Sequence, residues 1–347
     1  MSTMKALVFS APGRPTLEER PRPTIQAATD AIVQMVKSSI CGTDLHILKG
    51  DVPSVRRDII LGHEGTGIIY ALGANVTRFK LNDRVVISGI TSCRSCDFCT
   101  RDIPSHCVDG GWLIGNTIDG TQAEYIRIPL ADGSLYHMVE GASEEAQVLC
   151  SDVMPTAFEC GVISGRVKPG GTVAIVGGGP VGLAIAIAAQ LYSPLKLIMI
   201  TRDPNRLEKA KELGATHCIP FGPNAIKQVM ELTNGHGVDT VVEAAGVPGT
   251  FDLCQEIVAV GGTIANVGVH GCKVDLNLDK LWHRNIVIAT SLVDTTSTRM
   301  LLQLMDSGKI KPDILFTHRF RFADVLDAYA TFGDATKHNA LKVVLEF

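Results

Sequence analysis

From residue 172 to 189 the chain runs Thr172-Val-Ala-Ile-Val176, then Gly177-Gly-Gly-Pro-Val-Gly182, then Leu183-Ala-Ile-Ala-Ile-Ala-Ala189. No other stretch constrains the fold as much. A short β-branched run, a glycine turn and a longer apolar run read as a buried strand passing into a buried helix. Each glycine has a physical job there. Gly177 makes the tight turn, Gly179 lets the backbone approach a pyrophosphate, and Gly182 lets helix and strand pack closely. Beyond it the helix start at Pro180 and Val181 offers a favourable dipole to phosphates, with free N–H groups from Val181 onward since Pro180 has none. The alternation continues with a strand over 195–200, a helix over 206–213, strands over 238–243 and 263–267, and a final strand over 285–291. Such βα units imply a parallel sheet covered on both faces.

The second strand ends in Thr201-Arg202-Asp203-Pro204-Asn205-Arg206. An acid directly at that strand end is the usual partner of the NAD ribose hydroxyls. A hydroxyl and a guanidinium suit a 2′-phosphate better than a diol. NADP(H) is therefore favoured over NAD(H), with Thr201, Arg202 and Arg206 as candidate contacts; Asp203 remains within reach of a ribose.

Residues before about 155 have a different character. Strand-like runs over 5–9, 30–40, 68–71 and 84–88 alternate with turn signals at Pro12, Pro15, Pro21 and Pro23, at Gly73-Ala-Asn75 and at Lys80-Leu-Asn-Asp83. Short strands between such turns suggest a barrel-like or sandwich domain. Hydrophobic residues at 46% against 20% charged exclude a disordered chain. The formal net charge of −4 gives no electrostatic reason to expect nucleic acid or an anionic membrane as partner. No run reaches the ~18–20 apolar residues of a membrane span, and the first residues lack a signal-peptide core. A cytoplasmic protein is expected. In that compartment the ten cysteines read as thiols or metal ligands rather than disulfides.

Cys93, Cys96, Cys99 and Cys107 are the most specific signal. Four thiols in one short polar segment can close round a tetrahedral Zn²⁺ with no open position, which makes that site structural. A second candidate is scattered. Gly62-His63-Glu64 interrupts the apolar runs 58–61 and 68–71, and upstream stands Cys41-Gly-Thr-Asp44-Leu-His46. One soft ligand and one imidazole, each beside a carboxylate, look like half of a metal site with its supporting groups.

The order of these motifs along nearly the whole chain resembles the zinc-dependent alcohol dehydrogenases of the medium-chain dehydrogenase/reductase superfamily. Trp112, the segment 118–124 and Ser151-Asp-Val-Met-Pro-Thr156 resemble the microbial NADP-type secondary-alcohol branch, which often lacks the cysteine loop. The resemblance implies an α/β fold in two parts. A GroES-like, β-rich catalytic domain would take residues 1–155 and 293–347, a Rossmann domain 156–292, with the active site in the cleft between. It implies two zinc ions per chain. The catalytic one would be held by Cys41, His63 and Asp152, with Glu64 a ligand or a supporting carboxylate; Cys150 competes with Asp152. Asp44 would accept a hydrogen bond from the His63 ring. Thr43 would take the alcohol proton, passing it by way of the nicotinamide ribose to His46, an imidazole suited to exchange with solvent. The resemblance also puts Thr156, Val267, Gly268, Val269 and Ser291 near the nicotinamide and Ala245 and Gly246 near the adenosine. Ile90, Trp112 and Leu292 would wall the substrate pocket, with Leu113 and Ile114 adding to its apolar character. A homodimer or homotetramer joined through the strand 285–291 is expected.

The implied reaction moves a hydride between a zinc-bound alcohol and a nicotinamide cofactor, aldehyde or ketone reduction being the reverse. A polyol or L-threonine-type dehydrogenase of the same fold needs a more polar pocket. A non-catalytic zinc-binding relative should lack the relay groups, which are present.

Overall fold

The computed structural model describes residues 2–11 and 13–347; Met1 and the expected turn residue Pro12 lie outside them. The chain divides into two compact units, Met1–Pro155 with Val293–Phe347, and Thr156–Leu292.

In Thr156–Leu292 the described residues form a six-stranded sheet in the order His217–Pro220, Lys196–Thr201, Thr172–Val176, Val238–Glu243, Val258–Asn266, Val287–Thr290. Every neighbouring pair is parallel. The central strands are buried on both faces, and Val176, Ile198, Val241 and Ile264 belong to one core. This is why they read as continuous apolar runs without alternation. Chain order reverses between Thr172–Val176 and Val238–Glu243, the kind of switch point outside which sheets of this type bind ligands. Helix Pro180–Ala189 is buried from Gly182 to Ala189, which explains why it is apolar all round. Gly182 costs that helix about 1 kcal/mol against alanine. A Cβ there would collide with the Gly177 carbonyl, so packing overrides propensity.

Differences from the sequence reading have local causes. The strand at 263–267 extends back to Val258–Asn266 because Val258 also pairs, with Val238, and the register shifts across residues 259–262 before pairing resumes at Thr263. The strand at 285–291 shrinks to Val287–Thr290, an edge strand paired on one side. Strand His217–Pro220 is too short and polar to announce itself. Residues Thr156–Ile163 form a π-helix, a wide turn for which sequence carries no signal.

The other unit holds a three-stranded sheet, Arg14–Pro21, Thr3–Ala11 and Ile59–Ile60, and a larger one. The larger has the order Phe316–Arg321, Lys342–Glu346, Ala31–Ile40, Gly65–Leu72, Arg84–Ile87, Leu135–His137, with Tyr125–Ile128 also paired to Ala31–Ile40. Its register matters for the site. Ser38 lies opposite Gly65 and Val343 opposite Ile40. The end of one strand, the start of its antiparallel neighbour and the start of the C-terminal strand therefore meet.

Candidate active site and metal centres

Cys41 follows strand Ala31–Ile40 and caps helix Gly42–Lys49. His63 and Glu64 lie in the link between Ile59–Ile60 and Gly65–Leu72 rather than inside a strand. Gly62 adopts φ +93°, which turns the link and would strain any other residue. Asp152 follows a short 3₁₀ turn, Leu149–Ser151. Its neighbour Ser151 accepts from the Gly65 N–H (2.9 Å) and donates to the Gly65 carbonyl (3.1 Å), tying that turn to the His63 link. The result is one cluster: donor atoms of Cys41, His63, Glu64 and Asp152 all lie within 4.8 Å of one another. Cys150 is not among them. Its thiol is fully buried 3.7 Å from the Met305 sulfur, and burial pushes its pKa up.

His63 is buried with its two nitrogens facing different groups. Nε2 points toward Asp152 Oδ2 and Nδ1 toward Asp44 Oδ1, each at 3.8 Å. Burial alone would lower its pKa, but Cys41 and the carboxylates of Asp44 and Asp152 outweigh burial and raise it well above the usual imidazole value. Such a site favours a cation. The expected hydrogen bond from His63 to Asp44 is not formed at 3.8 Å, and Nδ1 and Oδ1 face each other unpaired. Asp44 instead accepts from the Cys41 N–H (2.9 Å) and from Gln122 Nε2 (3.2 Å).

Glu64 is committed elsewhere. Its Oε2 accepts from Ser39 and from Lys342 Nζ (2.5 Å), and Lys342 also donates to the Ile40 carbonyl (3.0 Å). Both charges of this pair are essentially fully buried. Burial pushes Glu64 up, but Lys342 outweighs it and holds the carboxyl below its ordinary value. The second Glu64 oxygen has no partner among the described residues. Lys342 escaped the sequence reading. The available signal was a lysine set in the otherwise apolar run Ala340-Leu-Lys-Val-Val-Leu345.

Thr43 and His46 ride on the same helix, three residues apart and so on one face. Thr43 Oγ1 is 3.6 Å from Cys41 Sγ. His46 Nδ1 lies 2.9 Å from Asp51 Oδ2, a partner the sequence reading also missed. Trp112 presents its ring edge-on to His63, centroids 6.2 Å apart, and Ile90 is buried beside Gly89, whose Cβ position lies 3.5 Å from the His63 carbonyl and 3.6 Å from Asp152. Ile114 is fully buried in the core with Val33, Ile87 and Ile126.

The four cysteines also assemble. Their sulfurs lie within 4.8 Å of one another, Cys93 and Cys99 at 3.9 Å, and no cysteine among the described residues is in a disulfide. Zn–S bonds of ~2.3 Å to tetrahedral corners need S–S separations of about 3.8 Å. The segment is already partly shaped for such an ion. Burial pushes Cys93 up, but the Ser95 and Cys96 N–H groups and neighbouring side chains hold its thiol at about 6, whereas burial and the adjoining thiols push Cys99 to about 12.

In the other unit, Gly179 caps helix Pro180–Ala189, with Val181 in its first turn. A Cβ at Gly179 would meet nothing closer than Arg206 Nη1 at 3.7 Å, so the turn is open to a ligand. Arg206 donates to the Gly178 carbonyl (3.3 Å) and pairs with Asp203 (3.3 Å), while Asp203 caps its own helix through the Asn205 N–H (2.9 Å). Thr201 packs on Gly178, whereas Arg202 is exposed. Ala245 and Gly246 donate to the buried Glu243 carboxylate, and a Cβ on Gly246 would strike the Val269 carbonyl. The loop Val267-Gly268-Val269 thus lies against them at the sheet's carboxyl edge. Ser291 shares a hydrogen bond with Ser164 (2.9 Å), Thr156 opens the π-helix, and Leu292 is exposed.

Family models for an alcohol dehydrogenase GroES-like domain and for a zinc-binding dehydrogenase match residues 27–140 and 180–307. An alcohol dehydrogenase from Cupriavidus necator is 33% identical, over 99% of this chain and 98% of that one. An NADP-dependent isopropanol dehydrogenase from Thermoanaerobacter brockii is 31% identical, over 94% and 95%. The apo structure of a zinc-dependent alcohol dehydrogenase 2 from Streptococcus pneumonia superposes with a TM-score of 0.95 at 49% identity, covering 99% of this chain and 98% of that one.

Proposed function

The chain belongs to the zinc-dependent alcohol dehydrogenases, NAD(P)-dependent oxidoreductases of the GroES-like and Rossmann fold, and on that premise we propose that it holds two zinc ions and prefers NADP(H). The observation that carries the catalytic site is the convergence of Cys41, His63 and Asp152 donors in a buried, anionic cluster. Zinc bound there supplies a Lewis acid that polarises an alcohol or carbonyl oxygen. Cys41, His63 and Asp152 would hold the ion, with Glu64 kept by Lys342 as a supporting carboxylate. Thr43 takes the alcohol proton, and His46 exchanges it with solvent. Asp51 accepts from His46 Nδ1–H and so leaves Nε2 as the nitrogen that carries the proton. Trp112 and Ile90 make the adjoining wall apolar, which favours simple alcohols, aldehydes and ketones over polyols. The cysteine cluster would hold the structural ion.

Gly177, Gly179 and Gly182 are the proposed pyrophosphate cradle. Asp203 is occupied by its helix cap and by Arg206, which leaves no free acid at the second strand for a ribose diol. Arg206 above the glycine turn is the cation for a 2′-phosphate. The half-exposed edge strand Val287–Thr290 and the exposed Trp282 support a homo-oligomer joined along that edge. No helix among the described residues is long and apolar enough to cross a membrane. Cysteines kept as thiols or metal ligands rather than disulfides favour the cytoplasm.

Absorbance at the nicotinamide band, with NADPH and NADH against a panel of aldehydes, ketones and sugars, tests these points together. A KM at least about tenfold lower for NADPH is expected, one charge-assisted contact being able to supply that, and Arg206→Ala should narrow the gap. Equal KM values for the two cofactors in the wild-type enzyme would end the NADP reading.

A further inference from the structure

Gln122 is a fully buried carboxamide, a group that costs free energy to bury unless it is hydrogen-bonded. Its orientation is fixed by its partners. Nε2 lies 3.2 Å from Asp44 Oδ2 and 3.3 Å from the Ser39 carbonyl, and both of these accept only. Oε1 must then face the Tyr329 hydroxyl, 2.8 Å away, which donates to it. Tyr329 is buried on the C-terminal helix Val325–Gly333. The hydrogen bonds therefore run one way, from phenol to carboxamide to carboxylate. The Cys41 N–H also donates to Asp44 Oδ2. With Oδ2 saturated, Oδ1 is the oxygen left to His63 Nδ1. At 3.8 Å the two atoms are not hydrogen-bonded, but Asp44 so held keeps a carboxylate beside the Nδ1 edge of the ring and leaves the Nε2 edge turned to the cluster. Gln122 also packs beneath the ligand link, since a Cβ on Gly62 would lie 2.7 Å from Gln122 Cγ.

We propose that Gln122 and Tyr329 are positioning residues of the metal centre, acting through Asp44 on the placement of the His63 ring. The proposal rests on the reading of Cys41, His63 and Asp152 as a zinc site. Tyr329 and Gln122 reach that site from the far end of the chain and from a loop in its first half.

Zinc release to a chromogenic chelator, followed with time and chelator concentration, tests it. The phase absent from His63→Ala belongs to this centre, and the phase that remains belongs to the cysteine loop. Gln122→Met should weaken the His63-dependent phase by roughly tenfold, the scale on which groups behind the ligands act. Tyr329→Phe, which keeps the ring and removes one oxygen, should weaken it by about threefold, and the two together by less than the product because they act in series. The cobalt-substituted protein should show a matching shift of its visible bands in both variants. If Gln122→Met does not fold, Tyr329→Phe decides alone. A wild-type phase left unmoved, with unchanged cobalt bands, overturns the proposal. A wild-type protein with no His63-dependent phase overturns the zinc reading itself and this proposal with it.

Discussion

The two candidate metal clusters of this chain are built in opposite ways. The cysteine cluster takes all four donors from one short segment that carries two brief helical turns, Asp97–Thr100 and Pro104–His106, and little core of its own. The Cys41–His63–Asp152 cluster draws on three separate segments, and its supports come from two more, at Gln122 and at Lys342 near the C-terminus. One site organises its surroundings, while the other is organised by them. Losing an ion from the first should loosen a loop, whereas breaking a support of the second should damage the core of the domain.

The largest effect expected of that difference comes from Lys342→Met. The substitution keeps the volume and leaves the Glu64 carboxylate buried beside Ser39 without its cation. Breaking a buried pair in this way costs about 3–5 kcal/mol. Denaturant unfolding of the zinc-free protein should register the full loss. The zinc-loaded protein should register less, because a second cation then lies near Glu64. A variant as stable as the wild type in both states would mean that the pair contributes nothing and that the two clusters do not differ in this way.

Ser151→Ala should come next. It removes the hydroxyl that satisfies both the Gly65 N–H and the Gly65 carbonyl. An orphaned buried donor costs about 1–3 kcal/mol. The distinguishing readout is the metal: the His63-dependent zinc should leave faster while the cysteine-loop zinc is unaffected. Equal loosening of both ions would show that the clusters are not independent.

The same contrast explains what could be read from the sequence. Cys93, Cys96, Cys99 and Cys107 declare themselves because their spacing alone brings four donors together. The strand and turn at Thr172–Gly182 do so because backbone geometry demands those residues in that order. Cys41, His63 and Asp152 become a set only when the Ser38–Gly65 register and the Ser151 bridge bring them together, so that grouping rested on resemblance. Lys342 was illegible for a sharper reason. A lysine in a strand is ordinarily taken for a solvent-facing residue, and its partner Glu64 is found only through the Val343–Ile40 pairing. Tyr329 and Gln122 hide likewise, since a buried tyrosine reads as core.

Cys96→Ser should give the smallest change in global stability and the cleanest loss of metal. Serine keeps the shape but is a poor zinc ligand, so one zinc per chain should be missing while the His63-dependent ion remains. The melting temperature should fall by only about 2–4 °C, roughly 1 kcal/mol for a domain of this size. The reason is that contacts outside the cluster still anchor the loop. Thr91 and Gly111 exchange backbone hydrogen bonds across its base, and Ser105 donates twice to Asp294. Between those anchors the segment should become open to protease while the rest of the domain stays closed. A fall as large as that of Lys342→Met would mean that the loop organises the domain. An unchanged zinc content would mean that the four thiols hold no ion, and the contrast between the clusters would then be between a metal site and a packed loop.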